Sequence, residues 1–185
     1  MGNCTCLQTS NDQSINIGEL SNEPDPSDTI RNFKSGFNHS NINIESQLPE
    51  TLISKDGEIQ TQSILNADLI CFYFSASWSA SCKKFTPILA ETYHIWKKKG
   101  KSIEIVFVSS DKTDSDFSEY YNIMPWLALC RNEMKVKEQL VKKFSVFGFP
   151  KLVVCDKEGN VIDSNARFTV QKFNTDSYDA WCKNI

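Results

Sequence analysis

Apolar residues cluster in short, sharply bounded runs along this chain. Leu69–Ser75 is a continuous apolar stretch of strand length, Ile103–Ser109 (IEIVFVS) reads as the next buried strand, and Lys151–Asp156 is a third strand. Continuous runs of this kind are expected where a strand is buried on both faces of a sheet. Between the first two, Phe85, Ile88, Leu89, Thr92 and Trp96 recur at helical spacing and predict an amphipathic helix with those side chains inward. Pro87 lies inside it and predicts a kink. Lys97-Lys98-Lys99-Gly100 closes it with positive charge and a glycine cap.

The flanking segments extend this pattern. Thr51–Thr61 reads as a hairpin turned at Asp56-Gly57. Asp116–Ile123 predicts a short helix leading into Met124-Pro125-Trp126. Glu133–Phe144 predicts a longer helix with Val136, Leu140, Val141 and Phe144 inward. Glu158-Gly159-Asn160 turns the third strand into an antiparallel return over Val161–Ser164, and a last helix is expected near 176–183. Strands alternating with helices, closed by a hairpin, predict an α/β domain with a mixed sheet and helices on both faces.

Residues 1–45 differ. They are rich in Asn and Ser, carry Pro24 and Pro26, and show no sustained apolar period. They read as a disordered linker, with a folded domain over 46–185. The start, Met1-Gly2-Asn3-Cys4-Thr5-Cys6, has the glycine that N-myristoylation needs once Met1 is removed, with Cys6 where Ser or Thr is usual. One acyl chain holds a membrane only marginally. A polybasic second signal is missing, because Arg31 and Lys34 face Asp12, Glu19, Glu23, Asp25, Asp28 and Glu45. Cys4 and Cys6 are placed for palmitoylation instead. The expectation is a dually acylated tether at the cytoplasmic face of a membrane; the alternative is an ordinary cytoplasmic start.

Composition narrows the remaining choices. The 185 residues are 40 % apolar and 23 % charged, with a formal net charge of −3. That balance is too near neutral, and too dispersed, for a nucleic-acid binder. No run approaches the roughly 18 apolar residues that span a bilayer. The two histidines, His39 and His94, have no partners at zinc-like spacing, so no metal and no cofactor is expected. Seven cysteines in a chain of this kind read as reduced thiols rather than a disulfide framework.

The candidate chemistry lies at the end of the first apolar strand, where the chain reads Trp78-Ser79-Ala80-Ser81-Cys82 before the amphipathic helix. Strand, sharp turn, one cysteine and a helix N-terminus form the layout of a Trp-Cys-x-x-Cys redox site with its first cysteine replaced. The wording FYFSASW, FTPILAE, DFSEYYNIMPWLAL and GFPKLVV resembles the tryparedoxin/nucleoredoxin branch of the thioredoxin superfamily, over about residues 50–172. That resemblance implies a thioredoxin-like fold with an N-terminal β-hairpin extension. It also implies thiol–disulfide chemistry on client proteins, served by a reductant system of thioredoxin, glutathione or trypanothione type.

In that branch the first cysteine is the attacking thiolate, stabilised at the helix N-terminus, and the second resolves the mixed disulfide. Ser79 stands at the attacking position and Cys82 at the resolving one. A serine cannot form a disulfide, so the dithiol cycle is closed to this site. Two readings stay open: Ser79 caps the helix while the domain binds client peptides without chemistry, or Cys82 alone forms mixed disulfides. Ala80 and Ser81 also depart from the Pro-Pro pair common in the branch, so the whole turn has diverged.

The resemblance further implies that Pro150 is cis and faces the turn, with Phe149 lining a groove completed by Trp78, Ala80, Ser81 and Trp126. Trp78 and Trp126 could equally be plain packing residues, and Pro150 a trans proline at a strand start. Asp111 falls where the branch often has an acidic residue near the redox site; a solvated loop carboxylate is the other explanation. Cys130 replaces a usual proline, and is either within reach of Cys82 or a half-exposed thiol of no consequence. Cys71 and Cys155 are expected to be buried packing residues, and Cys182 exposed.

Overall fold

A computed structural model describes residues 43–183. All belong to one compact unit, His39–Ile185. The lipidation candidates Gly2, Cys4 and Cys6, and nearly all of the expected linker, lie outside the described residues.

The three apolar runs become the strands β3 (Leu69–Ser75), β4 (Ile103–Ser109) and β6 (Lys151–Asp156). β3 pairs parallel with β4 and antiparallel with β6. A hairpin, β1 (Thr51–Ser54) and β2 (Gly57–Gln60), turns at Asp56-Gly57, where Gly57 takes the positive φ that the turn needs. β5 (Leu127–Ala128) and β7 (Val161–Asp163) complete seven strands in the order β2-β1-β5-β4-β3-β6-β7.

Alternation along the strands assigns two cores. Leu69, Cys71 and Tyr73 point to one face; Ile70, Phe72 and Phe74 point to the other. The first face is covered by α2 (Ala80–Lys98), α3 (Asp114–Tyr121), α5 (Ala166–Phe173) and α6 (Ser177–Cys182). The second is covered by α1 (Ile44–Gln47) and α4 (Met134–Lys143). Asn43 caps α1, and Ile44 is buried in the second core. The packed domain therefore reaches upstream of the expected boundary at residue 46.

Helix α2 is the crossover that parallel β3 and β4 require. It runs unbroken through Pro87, which sits on its exposed side. Its inward stripe is Phe85, Thr86, Leu89, Thr92, Tyr93 and Trp96; Ile88, expected inward, is exposed. It ends in a Schellman motif, with Gly100 at φ 69° and the Lys101 amide donating to Trp96 O at 3.0 Å. Among the helices and strands named here, three were absent from the sequence pattern: α1, the two-residue strand β5, and α5 preceding the expected final helix.

Phe107 lies at the centre of the first core. Its ring stacks on Phe117 at 5.8 Å and meets Tyr73, Tyr120 and Tyr121 between 5.9 and 6.4 Å. Phe107→Ala is expected to cost about 3–5 kcal/mol in denaturant unfolding. Phe147→Ala, at a side chain 91 % exposed, should stay within about 0.5 kcal/mol.

Candidate active site

The end of β3 delivers the turn Ala76–Ser79 to the first residue of α2. Ser79 is the N-cap: its Oγ accepts the Cys82 amide N–H at 3.3 Å, and its carbonyl accepts from Lys83 N at 3.0 Å. The hydroxyl thus satisfies one of the orphan donors of the helix N-terminus. This is the capping role that the sequence left open.

Cys82, one turn in, is 0 % exposed and belongs to the first core. Behind it runs a chain of buried hydroxyls. Thr86 Oγ1 donates to Cys82 O at 2.9 Å and lies 2.7 Å from Tyr73 Oη and 2.6 Å from Tyr120 Oη. Ser75 Oγ lies 3.1 Å from Tyr120 Oη. One assignment satisfies every donor: both phenols donate to Thr86, Ser75 donates to Tyr120, and Thr86 donates to the carbonyl. Burial pushes both phenols above the ordinary tyrosine value, which keeps them protonated for that role.

Asp111 is not a solvated loop carboxylate. It is 5 % exposed, and its two oxygens accept Ser77 N at 2.6 Å and Ser109 Oγ at 2.7 Å. It ties the end of β4 to the residue before Trp78. The correction follows from burial: a buried carboxylate must be paired or hydrogen-bonded.

Trp78 is 58 % exposed. Its Nε1 donates to Ser110 O at 3.0 Å, and its ring meets Phe149 edge-on at 6.0 Å. The Phe149–Pro150 bond is cis, as the resemblance implied. Ala80 and Ser81 are exposed beside Trp78. Trp78, Ala80 and Ser81 are thus exposed along the turn with the half-buried Phe149 against Trp78, and Pro150, next to Phe149 in sequence, is buried.

Trp126 does not join them. It is 2 % exposed, edge-on to Tyr73 at 5.7 Å and Tyr93 at 5.8 Å. β5 registers Leu127 and Ala128 against Val106 and Phe107, which turns Trp126 and Ala128 into the first core. The groove role expected for it is replaced by packing.

Cys130 and Cys82 are both free thiols. Cys130 lines a separate cleft with Ser109, Asp111, Leu129, Arg131, Met134 and Lys137, and Cys82 is not among the lining residues. Cys71 and Cys155 are buried; Cys182, expected exposed, is half-buried. Among the described residues no group of three His, Cys, Asp or Glu side chains is placed to hold a metal ion.

The family model described as thioredoxin-like matches residues 66–161, just over half of the chain. The chain belongs to the thioredoxin-like family. Within it, the chain is of tryparedoxin/nucleoredoxin type. It is 39 % identical to the tryparedoxin of Trypanosoma brucei brucei over 123 residues, which is 64 % of this chain and 82 % of that protein. It is 35 % identical to the probable nucleoredoxin 1 of Arabidopsis thaliana over 136 residues, 73 % of this chain, but spans only 23 % of that longer relative. A solved structure of tryparedoxin II complexed with glutathionylspermidine superposes with a TM-score of 0.68 at 32 % identity, covering 74 % of this chain and 95 % of that one. The thioredoxin fold and its mixed sheet stand on this likeness together with the topology above.

Two outcomes check the geometry. Ser79→Ala should destabilise the domain by about 1 kcal/mol in denaturant unfolding, through the lost cap. Iodoacetamide should leave Cys82 unlabelled in the native protein and label it on unfolding, read by peptide mass mapping.

Proposed function

We propose that this thioredoxin-like protein holds client peptides in the groove around Trp78, Phe149 and cis-Pro150, and does not run a dithiol–disulfide cycle. One observation carries the reading. The attacking position is a capping serine, and the cysteine behind it is 0 % exposed. A disulfide exchange needs a thiolate that can reach the substrate sulfur, and neither residue supplies one.

The aromatic residues beside the turn support the binding reading. An exposed indole, a partly buried phenyl ring and a cis-proline frame an open turn whose shape is fixed by Asp111. Aromatic anchors of this kind contribute disproportionately to peptide binding. Acylation at Gly2, Cys4 and Cys6 would place this module at the cytoplasmic face of a membrane, with the segment up to residue 45 as tether.

The competing reading is single-thiol chemistry through Cys82, resolved by an external thiol. It draws on the relative crystallised with glutathionylspermidine, a thiol bound to the same fold. It would require the first turn of α2 to open.

Turnover of a disulfide-bonded protein with excess reductant separates the two. This chain should be silent and Ser79→Cys active. Activity in this chain that Cys82→Ser abolishes would make Cys82 a working nucleophile and sink the binding-module reading. For an established client peptide, Trp78→Ala should weaken binding at least about tenfold by calorimetry.

A further inference from the structure

Helix α5 turns two phenyl rings outward. Phe168 is 52 % exposed and Phe173 45 % exposed. A cation lies over each: Arg167 Cζ is 5.3 Å from the Phe168 ring centroid, and Lys172 Nζ is 5.1 Å from that of Phe173. Neither cation has a carboxylate partner among the described residues. Arg167 Nε is closed to solvent and has no hydrogen-bond partner. Packing, not pairing, therefore holds the guanidinium, and its charge is left for an anion supplied from outside the domain.

The chain after α5 brings further charge to the same end. Trp96, near the end of α2, donates its Nε1 to Thr175 O at 2.8 Å. The segment after Phe173 thus lies against the end of α2, which Lys99 caps. Helix α6 then places Asp179 among Lys99, Lys101 and Lys183. The hydrogen bond from Lys101 holds that carboxyl below its ordinary value, with further help from the charges of Lys101, Lys99 and Lys183. Asp179 is already paired with Lys101 at 2.6 Å, so Lys99 and Lys183 are in excess.

Exposed rings flanked by unpaired cations suit an anionic bilayer: the rings enter the headgroup boundary and the long cationic side chains reach the lipid charges. A protein interface would instead present one contiguous apolar centre with charge at its rim, whereas here each ring carries its own cation. We propose that the face formed by α5 and the ends of α2 and α6 docks on an anionic lipid surface. Phe168 and Phe173 sit at the headgroup boundary, and Arg167, Lys172, Lys99 and Lys183 meet the lipid headgroups. Residues 1–45 carry no polybasic segment; folding assembles one from three separate elements. The inference goes beyond the acylation reading and does not require it, because an N-terminus without lipid leaves this face unchanged. The 19 residues of α2 span about 28 Å at roughly 1.5 Å per residue, so the turn with Trp78 lies at the opposite end of that helix from the docked lysines.

The test sediments the full chain, prepared without any acyl group, with vesicles of phosphatidylcholine alone and of equimolar phosphatidylcholine and phosphatidylserine, at low salt. The chain should partition onto the mixed vesicles in preference to phosphatidylcholine. Lys172→Gln should lower that partitioning about fivefold, the effect of one cation near such a surface, and added salt should lower it as well. Phe168→Ser should also weaken it. Lys142→Gln makes the same charge change at an exposed residue of α4, on the other face of the sheet, and should leave it unchanged. Equal partitioning onto both vesicles, equal losses from Lys172→Gln and Lys142→Gln, or no partitioning onto either, the result expected of a protein-docking face, would each overturn the assignment. The mass of the N-terminal peptide from the native host reports acylation separately, so the two readings fail independently.

Discussion

The Asp111 carboxylate fixes the working end of this domain. Strands β3 and β4 end side by side, and the chain must turn sharply after each. A buried carboxylate between the two ends takes the Ser77 amide on one oxygen and the Ser109 hydroxyl on the other. The cost of burying a charge is offset only when its lone pairs are filled, so the two turns cannot move independently. Trp78 follows Ser77 and is locked against Ser110 and Phe149. On the other side, Arg131 donates to the Asp111 carbonyl. One residue thereby joins the turn before Trp78, the end of the sheet and, through its backbone carbonyl, Arg131.

Ser79 suits this framework as a helix cap. A helix N-terminus needs an acceptor for its first amides, and a hydroxyl supplies one. The hydroxyl chain from Ser75 through Tyr120 and Tyr73 to Thr86 ends on the Cys82 carbonyl. It braces the first turn of α2 from within, whether or not residue 79 carries a thiol. The turn is therefore held by the Ser79 cap from outside and by the hydroxyl chain from within.

The sequence made some features legible and hid others for definite reasons. β3, β4 and β6 were visible because burial on both faces makes them largely apolar, with Glu104 the one interior exception in β4. The hairpin announced itself through Asp56-Gly57. Ser79 and Cys82 were legible from spacing, and the cis Phe149–Pro150 bond through family likeness alone. β5 was hidden because two residues are too few to show a period, and with it went the placement of Trp126, which depends on the register with Val106 and Phe107. Ile88 satisfied the helical spacing, yet sits at the edge of the stripe, where Thr86 and Tyr93 are buried instead. Asp111 looked like a surface carboxylate because its partners, Ser77 and Ser109, come from the ends of two different strands. No linear pattern records that meeting.

The thiols of the described residues differ in burial: Cys71, Cys82 and Cys155 are buried, Cys130 and Cys182 half-buried. In a dithiol site the helix N-terminus does two things at once: it presents a sulfur and it stabilises the charged form. Here that end is occupied by an uncharged cap, and the remaining sulfur points into the core. Cys130, half-buried, lies in another cleft, which Asp111, Arg131 and Lys137 also line.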